Sequence, residues 1–279
     1  MNENRIIEIK GKNYKYIHNE KTAKFEKELF EVKAIIEKEE LTTADKYRLL
    51  AIYRPSYHET GKIEGVTSYD STATNCEFCE LMRKAAEQQK LHICGYCYDY
   101  AQEHGFKGVN VLNRHTLNMI IMSCVEFEIE ELKVLNASYI NRVNSSGDVP
   151  NVTYARNMIK LGYAFSSLRF AFWAKNTFAV KQACKELGKP KNMILVQSSC
   201  IIGYVPKLEE YFDFVFVVFL TKEAIEEALK SKKCGECNGK KCKACGYKCY
   251  TGAWTEEGVN VVCEFLRVTK EKREELING

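Results

Sequence analysis

The start of the chain alternates between hydrophobic and polar side chains. The alternation runs through RIIEIKGKNYKYIH and predicts a β-hairpin. The next stretch, AKFEKELFEVKAIIEKEE, instead carries apolar residues at helical spacing. A second helix is predicted over ADKYRLLAIYR, with Thr42 or Thr43 as its N-cap and Pro55 at its end. We therefore predict that residues 1–60 form a small α+β appendage, whose charges lie on a solvated helix face or form a docking surface.

From about residue 62 the pattern changes to apolar strands separated by helices. IEGVTSY is predicted as a strand, and VNVLNRHTLNMIIMS as a further strand and helix. The strands that follow are ASYINRVNSS, LRFAFWAK, NMILVQSS and FDFVFVVF, and the helices are NVTYARNMIKLGYAFS, TFAVKQACKELG and TKEAIEEALKS. This alternation predicts an α/β domain over residues 61–232, with a mostly parallel sheet or partial (β/α) barrel and helices outside. Residues 233–279 are then a cysteine-rich segment with a final strand and helix.

The predicted strands end in small, polar or metal-binding residues. These ends read TSYDSTATNC, NSSGD, AKN and QSSC. Ligands of parallel α/β sheets bind at the carboxyl ends of the strands. The sequence therefore places a candidate site along this edge.

Composition narrows the class of protein. Hydrophobic residues make up 46% of the 279 residues, enough for a substantial core, and the formal net charge is only +4. Charge alone does not indicate a field that captures nucleic acid, although local basic patches remain possible. No apolar run approaches the roughly 20 residues of a membrane span, and the start lacks the apolar core of a signal peptide. We expect a cytoplasmic protein without a membrane partner.

Four cysteines form the first of two tight groups. They are Cys76, Cys79, Cys94 and Cys97, two CxxC pairs separated by fourteen residues. In a reducing compartment such a group indicates metal binding before disulfides. Four thiolates suit a tetrahedral Zn²⁺, and the same ligands suit an iron–sulfur cluster. His92 is a further candidate ligand, but we expect it to be partly exposed and not to bind the metal.

Five more cysteines form the second group, among glycines and lysines. They are Cys234, Cys237, Cys242, Cys245 and Cys249. Glycines let the backbone wrap a metal, and lysines offset thiolate charge, so a second metal centre is predicted. Five thiols exceed the needs of one tetrahedral site, so one thiol is spare or has another role. A zinc knuckle on nucleic acid is an alternative, because Tyr247, Tyr250 and Trp254 are interleaved with the lysines.

The four remaining cysteines are isolated. Cys124, Cys184 and Cys263 lie in apolar or amphipathic stretches, so we predict that they are small core residues. Cys200 follows a predicted strand end and is the one isolated cysteine with a possible site role.

Two motifs resemble the radical S-adenosylmethionine superfamily. CGYCYDYA is similar to the end of its cysteine motif, in which an aromatic residue, here Tyr96, often precedes the last cysteine. Ser146, Gly147 and Asp148 follow a strand, a placement similar to the Gly-Gly-Glu motif that holds the amino group of the cofactor's methionine part. The strand and helix order also resembles a partial barrel of this kind.

A closer resemblance is to the uncharacterised bacteriophage family named for gene product 88. In order, the chain supplies GYCYDYA, Arg142 with SSGD, FAFWAKN and CGECNGKKCKACGYKCY. The resemblance covers about residues 62–266. It implies a phage or prophage origin, with the protein in the host cytosol, and no established activity.

Together these resemblances imply an iron–sulfur protein with a radical-enzyme-like site and an unknown substrate. A [4Fe–4S] cluster would be bound by Cys94, Cys97 and either Cys79 or Cys76, and the late cysteines would hold a second cluster or a zinc ion. Asp148 would receive the ammonium group of S-adenosylmethionine. The implied pocket residues are Ser146, Gly147, Lys175, Asn176, Ser198 and Ser199.

Three features depart from this reading and keep other readings open. The usual motif separates its first two cysteines by three residues rather than fourteen, and a fourth thiolate from Cys76 would close the iron position that the cofactor needs. Asp148 is shorter than glutamate, and its segment also reads as an ordinary turn and N-cap. The main alternative is a non-enzymatic zinc protein that contacts nucleic acid or a host protein. Thiol redox chemistry at Cys94 and Cys97 is a third possibility.

Overall fold

The structure is a computed structural model that describes residues 2–105, 108–230, 233–237, 241–266 and 268–278. Within these ranges the chain forms a two-stranded antiparallel sheet and an eight-stranded, mostly parallel sheet with helices. The predicted α/β class with a mostly parallel sheet is confirmed.

The first elements are the predicted hairpin and two helices. They are β1 (Glu3–Ile9), β2 (Lys12–His18), α1 (Ala23–Ile36) and α2 (Thr43–Ile52). Lys10 and Gly11 turn the hairpin with φ of 47° and 75°. Thr42 caps α2, accepting the Asp45 N–H at 3.1 Å in a capping box.

The strands of the large sheet lie side by side in the order in which they occur in the sequence, except that the last two are exchanged. They are β3 (Ser56–Tyr57), β4 (Val66–Tyr69), β5 (Ile140–Val143), β6 (Arg169–Ala174), β7 (Met193–Ser198), β8 (Phe214–Phe219), β9 (Cys234–Cys237) and β10 (Val261–Phe265). The spatial order is β3-β4-β5-β6-β7-β8-β10-β9. β3 is antiparallel to β4, and the other neighbours are parallel. The carboxyl ends of β4 to β8 therefore lie side by side.

Helices connect these strands and close the chain. They are α3 (Glu77–Gln88), α4 (Tyr98–Glu103), α5 (Gly108–Cys124), α6 (Ile129–Leu132), α7 (Val152–Ala164), α8 (Thr177–Leu187), α9 (Lys222–Leu229), α10 (Lys248–Thr251), α11 (Ala253–Glu256) and α12 (Lys270–Asn278). Short 3₁₀ helices cover Ile93–Tyr96 and Cys242–Cys245. In the described ranges, no helix combines the length and apolarity that crossing a bilayer requires.

Two local predictions differ from the structure. VNVLNRHTLNMIIMS, predicted as a strand and a helix, lies entirely within α5. Its apolar run is buried all round, and a short run of this kind does not distinguish a strand from a buried helix. The cysteine-rich segments also contain regular structure that the sequence pattern did not predict, α3 between the CxxC pairs and β9 at Cys234–Cys237.

Side chains alternate between two faces of the large sheet, as β6 shows. Phe170 and Phe172 are fully buried on the face that packs against α5, α7 and α8. Ala171 and Trp173 lie on the opposite face, here called the inner face. The late cysteine-rich segment covers the inner face, where the Tyr250 ring lies 5.4 Å from the Trp173 ring. Both faces of the sheet are therefore buried.

The first 60 residues pack into the same core as the α/β domain. Ile9 and Leu29, fully buried, share one hydrophobic cluster with Ile120 of α5. The Ile17 N–H also donates to Asn113 Oδ1 at 2.8 Å, and β3 adds an edge strand to the large sheet. The boundary predicted at residue 60 therefore does not separate two hydrophobic cores.

The loops after β4 and β5 touch at the carboxyl edge of the sheet. Ser71 Oγ donates to the Asp148 carbonyl at 2.6 Å, and the Ser71 N–H donates to the Ser146 carbonyl at 3.3 Å. Gly147 lies between these contacts with φ of 71°, a left-handed conformation. A Cβ at Gly147 would lie 2.2 Å from Ser71 Oγ and 2.6 Å from the Ser71 carbonyl oxygen. Glycine is therefore required by both conformation and space.

Gly147→Ala should lower the free energy of unfolding by about 3 kcal/mol or more, because the left-handed conformation and the forced contact both oppose a Cβ. Gly203→Ala is the matched control, since Gly203 has φ of 75° and nothing lies within 4 Å of its Cβ position. We expect the control to lose only about 1–2 kcal/mol. Urea unfolding measures both variants. Equal losses would contradict the close packing of the two loops.

Candidate metal and cofactor site

Cys76 and Cys79 lie where the loop after β4 enters α3. Cys76 is fully buried, and its Sγ caps the helix by accepting the Cys79 N–H at 3.4 Å. Cys79 is half-buried one turn into α3. The helix N-terminus favours negative charge on both thiols, as a metal-bound thiolate requires.

Cys94 and Cys97 lie in the chain that returns from α3. Cys94 belongs to the 3₁₀ helix Ile93–Tyr96, and Cys97 caps α4 by accepting the Tyr100 N–H at 3.5 Å. His92 is buried at 3% exposure, which contradicts its predicted partial exposure. Its Nδ1 accepts the Cys94 N–H at 3.3 Å, so the imidazole orients the chain that carries Cys94.

Lys175 interacts electrostatically with three of these cysteines. It follows β6 and lies within electrostatic reach of the thiols of Cys79, Cys94 and Cys97. Burial lowers the pKa of Lys175, but Asp148 and the three thiols outweigh burial, so that the pKa is raised above its ordinary value. Lys175 is therefore a positive charge within electrostatic reach of three candidate ligands, and it would offset the charge of metal-bound thiolates.

Burial and neighbouring groups shift the pKa values of three thiols in this group upward. The hydrogen bond with Cys76 and burial raise the pKa of Cys79, and burial raises the pKa of Cys94 to about 12. Burial also raises the pKa of Cys97. Thiol redox chemistry favours a lowered pKa, so this environment does not favour the third reading of Cys94 and Cys97.

The candidate ligands of the first group differ in their surroundings. Cys79, Cys94 and Cys97 share the Lys175 environment, whereas Cys76 lies behind Cys79 in the hydrophobic core. Cys200 interacts electrostatically with Cys94, so it is a further thiol at this edge. Three sulfur ligands suit an iron–sulfur cluster with one open iron, and four suit zinc.

Asp148 joins the loop after β5 to the end of β6. Its carboxylate is 3% exposed and accepts the backbone N–H groups of Val149 at 2.8 Å and Asn176 at 3.2 Å through Oδ1. Oδ2 accepts the Lys175 N–H at 3.1 Å and lies 3.7 Å from Lys175 Nζ. The Asp148 carboxylate therefore holds the loop in place and also faces the charged group beside the thiols.

The other predicted pocket residues have different surroundings. Ser146 is buried, and no described group pairs with its Oγ. Asn176 caps α8 and donates from Nδ2 to the Val149 carbonyl at 2.9 Å, so its amide serves the local turn. Ser199 Oγ lies 2.8 Å from the Tyr204 carbonyl oxygen. Ser198, half-buried at the end of β7, follows the residue that pairs with Ala174 and so lies beside Lys175.

A buried polar network beneath the first cysteine group was not predicted from the sequence. Asp70 Oδ1 accepts the N–H groups of Ser145 at 2.8 Å and Ser146 at 3.0 Å. Burial raises the pKa of Asp70, but His115 and these serines outweigh it and lower the pKa. His115 also lies 3.7 Å from Glu103, which is fully buried.

Glu103 fixes the loop that leads to Cys76. Its carboxylate accepts the N–H groups of Ala73 at 3.0 Å and Thr74 at 2.8 Å, and the Thr74 hydroxyl at 2.6 Å. The polar loop TSYDSTATNC was recognisable in the sequence, but its partners in α4 and α5 carried no signal because they lie 29 or more residues away.

Asp99, two residues after Cys97, is half-buried near Lys175. Burial raises the pKa of Asp99 to about 6, and Lys175 opposes this shift. Its position next to a CxxC pair was the one sequence signal for this group. A carboxyl group with this pKa can bind or release a proton near neutral pH.

The late group separates into four thiols and one. The pKa of Cys249 is raised to about 12 by burial and by the thiols of Cys237, Cys242 and Cys245, so these four lie together. Cys237 and Cys242 also pack into the inner-face core. These four thiols, from a strand, a 3₁₀ helix and α10, are the candidate ligands of the late segment.

Cys234 lies on the other face of β9. Strand residues three apart point in opposite directions, and Cys234 packs with the α9 side of the sheet, in one cluster with Cys263. Burial raises the pKa of Cys263 to about 12, and the Cys234 thiol adds to this shift. The structure thus separates Cys234 from the other predicted ligands.

The remaining isolated cysteines lie in the core as predicted. Cys184 and Cys263 are buried, and Cys124 is half-buried with its Sγ 3.8 Å from the Tyr14 hydroxyl.

The aromatic residues of the late segment face the protein. Tyr250 is 2% exposed, the Tyr247 hydroxyl donates to the Glu64 carbonyl at 2.7 Å, and Trp254 packs against Gly235. Two nearby lysines are also paired: Lys241 lies 2.6 Å from Glu64, and Lys248 lies 2.7 Å from Glu257. This arrangement leaves these rings unavailable for stacking on bases.

No family model matches this chain, and neither a curated protein nor a solved structure matches it. The proposed function therefore depends on the residues and contacts described above.

Proposed function

We propose that the protein is an iron–sulfur enzyme of the radical S-adenosylmethionine type, with a cluster bound by Cys79, Cys94 and Cys97. The observation that carries this proposal is the environment these three thiols share with Lys175 and Asp148. Three thiols from the segment between β4 and α4 would leave one iron of a [4Fe–4S] cluster open. Cys76, buried behind Cys79, has a sufficient structural role as the helix cap.

The order of the strands is consistent with this proposal. The strands β4 to β8 are adjacent in the sheet in sequence order. The segment with Cys76 and Cys79 follows β4, and Asp148 follows β5. A sheet that grows in one direction suits a partial barrel with its site at the carboxyl edge.

The chain's own residues would position the cofactor and substrate. Asp148 would hold the ammonium group of S-adenosylmethionine, in competition with the Lys175 side chain that faces it. Lys175 would offset the charge of the thiolates, and Ser198 would line the same edge. When bound, the cluster and S-adenosylmethionine supply one-electron cleavage of the cofactor and hydrogen abstraction from a substrate. The buried loop held by Glu103 would keep water from this centre.

The late thiols would hold a second metal centre. Cys237, Cys242, Cys245 and Cys249 could bind a second cluster or a zinc ion, and either would fix the late segment against the inner face.

A zinc-stabilised binding protein is the second candidate. The hydrogen bond between Cys76 and Cys79 favours it, because four adjacent thiols at the first group would complete a tetrahedral site. A host protein fits this candidate better than nucleic acid, because the late aromatic rings face inward. Origin in a phage and a place in the host cytosol stay predictions under both candidates.

Metal and sulfide analysis of protein purified without oxygen tests the proposal. We expect about four or eight iron atoms per chain with matching sulfide and a brown colour, followed by cleavage of S-adenosylmethionine on reduction. A colourless protein with zinc alone would contradict the proposal and favour the second candidate.

Cys79→Ser should remove about four iron atoms per chain, whereas Cys76→Ser should keep them. Of these two cysteines, Cys79 is the one within electrostatic reach of Lys175. Cys184→Ser is the control for loss of a buried thiol outside the site. Iron content and the visible spectrum are the measurements. Equal metal loss in the Cys76 and Cys79 variants would indicate a four-thiol site.

Cys249→Ser should remove the metal of the late centre, whereas Cys234→Ser from the same segment should keep it, because Cys234 lies on the opposite face of β9. Total metal per chain, measured by mass spectrometry of digested protein, distinguishes the two. Loss of metal in both variants would contradict the separation of Cys234 from the other late thiols.

A further inference from the structure

Arg142 lies on the inner face between the two thiol groups. It belongs to β5, and its guanidinium carbon lies 4.2 Å from the centre of the Trp173 ring. Stacking on the ring holds the guanidinium plane, and the Tyr250 hydroxyl lies beside the guanidinium. The Arg142 side chain is half-buried, so part of it remains open to solvent.

No described group compensates this charge directly. Arg142 has no ion pair within 4.0 Å and its buried Nε has no hydrogen-bond partner among the described residues. Asp70 attracts the guanidinium from a distance, but the oxygens of Asp70 accept the donors of Ser68, Ser145 and Ser146. A buried donor without a partner is costly, so its persistence indicates that something binds there.

Tyr250 lies at the same place. Its side chain is 2% exposed, and its hydroxyl is close enough to the Arg142 guanidinium for a hydrogen-bonding interaction with it. A hydroxyl that accepts from Arg142 keeps its own proton for a further acceptor, and no such acceptor is found among the described residues. Burial raises the pKa of Tyr250, so the hydroxyl keeps its proton and can donate it in a hydrogen bond. A guanidinium edge and a phenol donor against an aromatic wall match an oxyanion.

The other charged groups of this region already have partners. Lys175 faces Asp148, and Lys62 lies 2.7 Å from Glu264. Asp99 lies within electrostatic reach of both Lys175 and Arg142 but pairs directly with neither within 4.0 Å in the described part of the chain. Arg142 is therefore the cation of the inner face without a direct carboxylate partner among the described residues.

We propose that Arg142 and Tyr250 form a binding site for the oxyanion, carboxylate or phosphate, of a small anionic substrate on the inner face. The site does not depend on which metal the thiols hold, so its test is separate from that of the proposed function.

Fluorescence of Trp173 reports on this site, because the chain has two tryptophans and Trp254→Phe leaves Trp173 alone. The full chain with this change is titrated with sodium phosphate and, separately, with sodium acetate, at constant ionic strength. We expect a saturable change with at least one anion, and the two titrations distinguish phosphate from carboxylate. Arg142→Gln in the same background should weaken binding by about tenfold or more, because charge-assisted hydrogen bonds are lost.

Arg169→Gln is the matched control, since Arg169 is an exposed arginine at the amino end of the neighbouring strand, and it should bind as the parent does. Arg142→Lys keeps the positive charge but cannot form bidentate hydrogen bonds, so this variant should also bind the anion more weakly. A rise in the melting midpoint with added anion, absent in the Arg142 variants, gives a second readout. A lack of saturation with both anions, or unchanged affinity in both Arg142 variants, would overturn the proposal.

Discussion

A parallel sheet must be covered on both faces, and this constraint organises the whole chain. The helices that connect β4 to β8 cover one face and share their core with the N-terminal hairpin. The inner face is left to the late cysteine-rich segment, which consists of short helices and turns. So short a segment buries little surface of its own, and a metal bound by four thiols would supply the cross-links that hold it against Trp173.

The carboxyl edge of the sheet poses a second problem, since loops that turn there leave backbone N–H groups away from water. Three buried carboxylates solve it, those of Asp70, Glu103 and Asp148. Each accepts N–H groups from a segment distant in sequence, so the loops after β4, β5 and β6 are tied together. These hydrogen bonds hold the loop that leads to Cys76 and Cys79 in a defined position.

The sequence predicts features that depend on neighbouring residues better than features that depend on contacts between residues far apart along the chain. The hairpin, α2 and the alternating elements from β5 to α9 follow from local periodicity and capping residues such as Thr42. The CxxC pairs identified the candidate ligands, but spacing alone could not separate Cys234 from Cys237, because that depends on the two residues lying in a strand. Glu103 and His115 were missed since their role arises from contacts across the fold. The buried run in α5 was ambiguous because helix and strand periodicity coincide in short apolar stretches.

On the inner face, the charge of Arg142 acts on residues near both thiol groups. Arg142 lies within electrostatic reach of Cys242, a member of the late group, and of Asp99 beside the first group. Metal-bound thiolates carry net negative charge, so a loaded late centre would offset part of the Arg142 charge across the low-dielectric interior. Such thiolates would stabilise the Arg142 charge without a direct ion pair. A carboxylate paired directly with Arg142 would have stabilised the fold more simply and would have closed the N–H edge of the guanidinium.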